Sequence, residues 1–273
     1  MKRTGNSFVL FTALAFGYAF LYAPIVLLVV YSFNESRLVT VWSGFSVKWY
    51  GELLRNGQML DAAWLSLRIA VVNATLAVGL GTLAGIVLAR YRRFRGASLF
   101  SAMIAAPLVM PEVILGLSLL LLFVALETLI GWPPGRGATT IIIAHVTFTM
   151  AFVAIIVQAK LAAFDDSLEE AAMDLGARPL TVFFSVTLPL ISPALIAGWL
   201  LAFTLSFDDL VIASFVSGPG ASTLPMVVYS SVRLGISPQI NALATIIIVA
   251  VGFCIAAAGW LLHRRERAPR ARG

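Results

Sequence analysis

Thr4–Asn34 reads TGNSFVLFTALAFGYAFLYAPIVLLVVYSFN, with no Asp, Glu, Lys or Arg anywhere in it. A helix that crosses a bilayer needs roughly 20 mostly apolar residues, and this run exceeds that length. Five further stretches repeat the pattern. Ile69–Ala89, Gly137–Ala159, Pro179–Phe207 and Leu234–Leu262 carry no charge, and Gly96–Leu126 carries only Glu112. The whole chain is 60% hydrophobic and 12% charged, against about 25% charged residues in a soluble domain. Too few charges remain to cover a water-facing surface. The reading is an all-α integral membrane protein with six transmembrane helices, over about 8–33, 64–90, 98–126, 138–160, 190–216 and 239–262, in a single domain spanning 1–273. The first run follows Lys2 and Arg3 as a secretory leader would. It is longer than the ~7–15 apolar residues of such a leader and no small-residue cleavage site ends it, so it reads as a retained helix.

Basic residues set the expected orientation. Lys2, Arg3, Arg90, Arg92, Arg93, Arg95, Lys160, Arg178, Arg264, Arg265, Arg267, Arg270 and Arg272 fall on one set of loops. Arg37, Lys48, Arg55, Arg68, Arg136 and Arg233 fall on the other. Cytoplasmic loops carry the excess of Lys and Arg, so both termini are expected in the cytoplasm. The net charge of +6 follows from this distribution. Its split among juxtamembrane segments excludes a nucleic-acid surface. Cys254, the single cysteine, reads as a small packing residue.

The cytoplasmic loop over 161–188 breaks the charge pattern. Asp165, Asp166, Glu169, Glu170 and Asp174 put five acids on the basic side. Ser167 or Asp166 suits a helix N-cap, Gly176 a helix C-terminus, and Pro179 bars continuation. Leu168, Ala171, Ala172 and Leu175 fall at i, i+3, i+4 and i+7 and make one apolar stripe, with the acids on the other face. Helices that lie on membranes carry Lys and Arg instead. An acidic one suits docking on another protein, and a plain structural connector is the other reading.

The residues of this loop resemble a family signature. Glu170-Ala171-Ala172, Gly176 and Val186-Thr187-Leu188-Pro189 are spaced like the Glu-Ala-Ala motif of bacterial ABC importer permeases. Val186 in place of Ile is the one departure. Leu21-Tyr22-Ala23-Pro24, Trp49-Tyr50, Ala106–Glu112 and Phe207–Phe215 look like polyamine importer permeases, and Ser214–Gly220 with Thr223–Met226 like the putrescine type. The resemblance implies a type I ABC importer permease fold in the bacterial inner membrane. It implies Glu169, Glu170, Ala171, Ala172, Asp174, Gly176, Leu188 and Pro189 as the ATPase-coupling element. It further implies a second, homologous permease chain in a heterodimer, two cytoplasmic ATPase subunits and a periplasmic polyamine-binding protein.

This chain holds no nucleotide loop of its own. Gly-x-x-x-x-Gly-Lys-Ser/Thr needs a lysine after glycine, and Lys2, Lys48 and Lys160 do not fit. No catalytic role and no cofactor is expected here, with ATP and magnesium belonging to the partner ATPase. His145 and His263 lack metal-ligand spacing, so no metal is expected.

Carboxylates inside a membrane are costly and mark candidate functional sites. Glu112 follows Pro111 in a run where Pro107 and Pro111 free backbone carbonyls and kink the helix. Asp208 and Asp209 are neighbours, about 100° apart on a helix. One is expected to line a path for a cation and the other to bond a neighbouring helix or the partner subunit, and purely structural roles are the alternative for all three. Trp199 and Phe203, four apart, offer either a cation–π surface or ordinary packing. The carboxylates favour a cation, and the function that the resemblance implies is translocation of a polyamine, putrescine foremost. Alternatives are a permease for spermidine or another small organic cation, and an ATP-independent secondary transporter.

Overall fold

The computed structural model describes residues 4–38, 41–91, 94–165, 167–234 and 238–267. Lys2, Arg3, Arg92, Arg93, Asp166, Arg270 and Arg272, and the side chains of Cys254 and His263, lie outside the described residues. The described chain is helical, with a lone antiparallel bridge between Asn34 and Phe45. Its helices are α1 (Thr4–Tyr31), α2 (Lys48–Arg55), α3 (Gly57–Arg90), α4 (Ala97–Val109), α5 (Glu112–Ile130) and α6 (Ala138–Ala162). Then come α7 (Ser167–Asp174), α8 (Pro179–Val182), a π-helical turn (Phe183–Thr187), α9 (Leu188–Phe207), α10 (Val211–Val216), α11 (Leu224–Leu234) and α12 (Pro238–Arg267). Two compact units are present, one of residues 1–60 with 228–273 and one of residues 61–227.

In the first unit a buried asparagine organises the segment after α1. Asn34 Nδ2 donates to the carbonyl of Val41 at 2.7 Å, and its Oδ1 accepts from the amide of Ser43 at 3.0 Å. The indole of Trp49 donates to the Asn34 carbonyl at 2.6 Å, which seats α2 under the segment. Gln239 at the start of α12 donates to Glu52 at 3.1 Å and accepts from Asn56 at 3.0 Å, tying α12 to α2.

The second unit is built around α6, whose Ala144, Ala151, Val153, Ala154 and Val157 are wholly buried. Small residues on α3 allow a close approach. Ala70, Ala74 and Ala77 are fully buried on the face that continues to Gly81 and Gly85. A Cβ at Gly81 would lie 2.7 Å from the Met150 carbonyl oxygen, and one at Gly85 2.7 Å from that of Ala154. Without a hydrophobic driving force between helices in lipid, such contact is what holds spans together. On α9, Gly198 faces Val153 less tightly, since an added Cβ would lie 3.4 Å from Val153 Cγ1, an ordinary contact.

The length of α3 exceeds the bilayer. Thirty-four residues reach about 51 Å, against a hydrocarbon core of about 30 Å. The charge-free section between Arg68 and Arg90, both exposed in the chain, covers about 33 Å. That section matches the thickness of the hydrocarbon core, and the turns before Arg68 are additional length.

Five described helices are long and apolar enough to cross a membrane: Val9–Tyr31 of α1, α3, α5, α6 and the continuous stretch Pro179–Phe207. Two expected spans differ. The span over 98–126 is two helices, not one kinked helix. Pro111 has no amide to donate, and Met110 and Pro111 take extended backbone, with ψ of 136° and 137°. The span over 190–216 starts earlier, at Pro179, and breaks at Asp208–Leu210 before α10. The stretch Pro238–Phe253 of α12 is apolar but shorter.

Replacing Gly81 with Leu is expected to lower the thermal stability of the detergent-purified protein by about 1–3 kcal/mol through overpacking against α6. Gly79→Leu, where a Cβ meets nothing within 4 Å, should leave the melting temperature within error.

Candidate functional site: a docking helix and two helix breaks

The acidic loop folds as α7, and its ends are built from local bonds. The Ser167 amide donates to Asp165 Oδ1 at 3.0 Å just ahead of the helix; Ser167 is the first residue of α7, and Asp166, the other expected N-cap, lies outside the described residues. The hydroxyl and then the amide of Ser167 hold the Asp165 carboxyl below its usual range. At the other end Gly176 takes φ +87°. Its amide bonds the Met173 carbonyl at 2.8 Å, and the Ala177 amide bonds that of Ala172 at 3.1 Å. This left-handed turn ends α7, and Pro179 opens α8.

The face that α7 presents is not the one its pattern suggests. Leu168 is 49% exposed and Leu175 90% exposed, and Glu170, Ala171 and Asp174 are exposed beside them. Glu169 and Ala172 turn inward. Glu169 Oε1 accepts from Arg90 Nη2 and from Thr187 Oγ1, each at 2.5 Å. The apolar stripe thus faces out, and one acid faces in, because a buried hydroxyl and a guanidinium wait beneath it. Leu188 packs against the cluster of α3, α6 and α9, while Pro189 is exposed.

The three membrane carboxylates separate into two kinds. Asp209 is satisfied internally. Its Oδ2 accepts from the Ala213 amide at 2.7 Å and its Oδ1 from the Ile212 amide at 3.3 Å, which caps α10. His145 Nε2 lies 3.1 Å from Oδ2, and His145 Nδ1 lies 2.7 Å from Ser206 Oγ. One turn along α6, Thr149 donates to the His145 carbonyl and, at 3.1 Å, to Asn73 Oδ1. Asn73 in turn donates to the Ala202 carbonyl at 3.0 Å. A buried polar chain therefore joins α3, α6, α9 and α10. Asp208 and Glu112 are exposed on the chain, at the end of α9 and the start of α5.

The two breaks lie close together. Thr140 on the first turn of α6 donates to the Val216 carbonyl at the end of α10, at 2.7 Å. Gly131–Gly137 links that same turn to the end of α5, so α5 and α10 run in the same direction. A Cβ on Gly116 of α5 would meet Phe215 Cδ2 at 2.8 Å and Ile212 Cα at 3.3 Å. Gly116 is four residues past Glu112, and Ile212 four past Asp208. Each exposed carboxylate thus lies four residues before this contact.

Trp199 and Phe203 stack at 5.4 Å with planes 12° apart, and Phe207 continues the stack at 5.7 Å and 10°. All three are half-buried, and the Trp199 indole donates to Thr75 Oγ1 at 3.3 Å. The ladder ends one residue short of Asp208. Phe207 was legible at i+8 in the sequence. The role of His145 was not, because its partner lies 64 residues away.

The pattern of the family described as "Binding-protein-dependent transport system inner membrane component" matches residues 81–268. The chain is 63% identical over 254 residues to the putrescine transport system permease protein PotI of Escherichia coli (strain K12), covering 93% of this chain and 90% of that one. It is 44% identical over 232 residues to the spermidine/putrescine transport system permease protein PotC of the same organism, covering 85% of each. Among solved structures, a bacterial ABC transporter that imports the acidic polysaccharide alginate superposes with a TM-score of 0.71 at 18% identity, over 96% of this chain and 98% of that one. An inward-facing MetNI methionine ABC transporter superposes at 0.59 and 19% identity, over 76% and 95%. The fold is that of type I ABC permeases, and the chain belongs to the binding-protein-dependent transport system inner membrane components, as a permease subunit of an ABC importer.

Proposed function

We propose that this permease carries putrescine inward across a bacterial inner membrane, driven by a separate ATPase. The observation that carries the substrate is the 63% identity, over 93% of the chain, to a permease named for putrescine transport. The site chemistry supports it. Putrescine is a diamine with a cationic group at each end and an apolar stem between. Glu112 and Asp208 offer two exposed carboxylates beside the two helix breaks, and opposite charge offsets lost hydration. The Trp199–Phe203–Phe207 ladder offers ring faces to an ammonium or its methylenes. Asp209 serves differently, holding the break in shape from within. Spermidine is the second reading, favoured by the 44% identity to PotC.

The partners follow from the same reading. A second, homologous permease completes a heterodimeric path, and a binding protein delivers substrate from outside. One of the two ATPase subunits docks on α7 through Glu170, Ala171, Asp174 and the exposed Leu168 and Leu175, with the Gly176 turn setting the angle. Six spans with both termini in the cytoplasm accord with the 13 of 19 basic residues assigned to cytoplasmic loops.

The substrate is tested by the ATP hydrolysis that the assembled complex shows with its binding protein and each polyamine. Putrescine should stimulate most, and a larger response to spermidine would overturn the assignment. Asp208→Asn is expected to cut uptake about tenfold with normal protein yield, the loss of roughly one screened charge contact. Asp209→Asn should instead lower the melting temperature and yield, since it caps α10. Leu175→Asp or Glu170→Ala should strip the ATPase from the purified complex, read by gel densitometry.

A further inference from the structure

Glu169 draws two donors from two different spans. Arg90 is the last residue of α3, and Thr187 is the last residue of the π-helical turn that opens α9. Thr187 is buried and the Glu169 side chain is 13% exposed, so solvent and salt screen these bonds less than an ordinary surface pair. Bonds to an ionised acceptor are also stronger than neutral ones.

The surroundings of α7 concentrate its attachment there. A cavity of about 220 Å³ lies beneath it, lined by Arg90, Glu169, Met173, Val182, Phe183 and Thr187. Beside this cavity α7 touches α8 and the π-helical turn. An eight-residue helix has little stability of its own, so its hold on the spans depends on side-chain ties. The π-helical turn places Thr187 where the carboxylate can take it, and such turns recur at functional sites.

We infer that Glu169, Arg90 and Thr187 form an internal latch, in which Glu169 is a positioning residue and not an ATPase contact. It fastens the docking helix to α3 and α9, so that a displacement of α7 moves both spans together. Those spans grip α6 from Gly81, Gly85 and Gly198, and α9 ends at Asp208. The latch therefore links the cytoplasmic helix to the break that carries the exposed aspartate. This rests on the reading of α7 as the docking element.

The test uses the full complex of both permeases, ATPase and binding protein in proteoliposomes. Glu169→Gln, Arg90→Gln, Thr187→Val and the swap Arg90→Glu/Glu169→Arg are compared for bound ATPase and for putrescine taken up per ATP hydrolysed. Bound ATPase should stay at the native ratio throughout. Uptake per ATP should fall about tenfold in Glu169→Gln and Arg90→Gln, as for a lost charge-assisted bond. Thr187→Val should fall less, and the swap should recover above either charge variant. Native coupling in both Glu169→Gln and Arg90→Gln overturns the latch, as does a swap no better than they are. Loss of the ATPase from Glu169→Gln also overturns it, because Glu169 then belongs to the docking face. Glu170→Ala and Leu175→Asp run alongside as markers of docking itself. If both keep the ATPase, the docking reading fails, whatever the latch variants do.

Discussion

In hydrocarbon a peptide group has no water to bond, so a spanning chain is free to leave helical geometry only where protein or a cavity satisfies what it exposes. The second unit is arranged around that requirement. Its two interruptions are at Met110–Pro111, which is exposed on the chain, and at Asp208–Leu210, which leads into α10 where that helix packs on α6. Pro111 relieves one break by having no amide to satisfy. Asp209 relieves the other by supplying a carboxylate to the amides of Ile212 and Ala213. That carboxylate is itself held by His145, which Thr149 and Asn73 brace from α6 and α3. The close approach of α3 through Gly81 and Gly85 is what brings Asn73 within reach of this chain.

Adjacent aspartates thus do unlike work. Asp209 belongs to the scaffold, with its charge consumed by backbone amides and an imidazole. Asp208, one residue earlier, ends α9 and stays exposed. The scaffold residue fixes the backbone from which the other projects, so precision at Asp208 is inherited from bonds Asp208 does not make.

Much of this was legible in the sequence, and what was not has physical reasons. The apolar runs identified membrane helices because hydrocarbon imposes length and apolarity on each span locally. The angle between neighbours on a helix suggested unlike surroundings for Asp208 and Asp209, while the break between α9 and α10 and the partner of Asp209, His145, were both hidden. The breaks were half visible. Pro111 signalled a distortion, but whether a helix bends or stops depends on neighbours such as Phe215 across from Gly116. At α7 the pattern misled. An apolar stripe conventionally faces inward, and here Leu168 and Leu175 face out because Arg90 and Thr187 capture Glu169. Amphipathic patterns report that a helix has two faces and leave open which partner takes each.

One consequence concerns the lipid and not the protein. The section of α3 that matches the hydrocarbon core is the uncharged helix between Arg68 and Arg90, about 33 Å long. Because α3 grips α6 without slack, any mismatch with the surrounding bilayer is borne by the whole packed unit and not absorbed by one sliding helix.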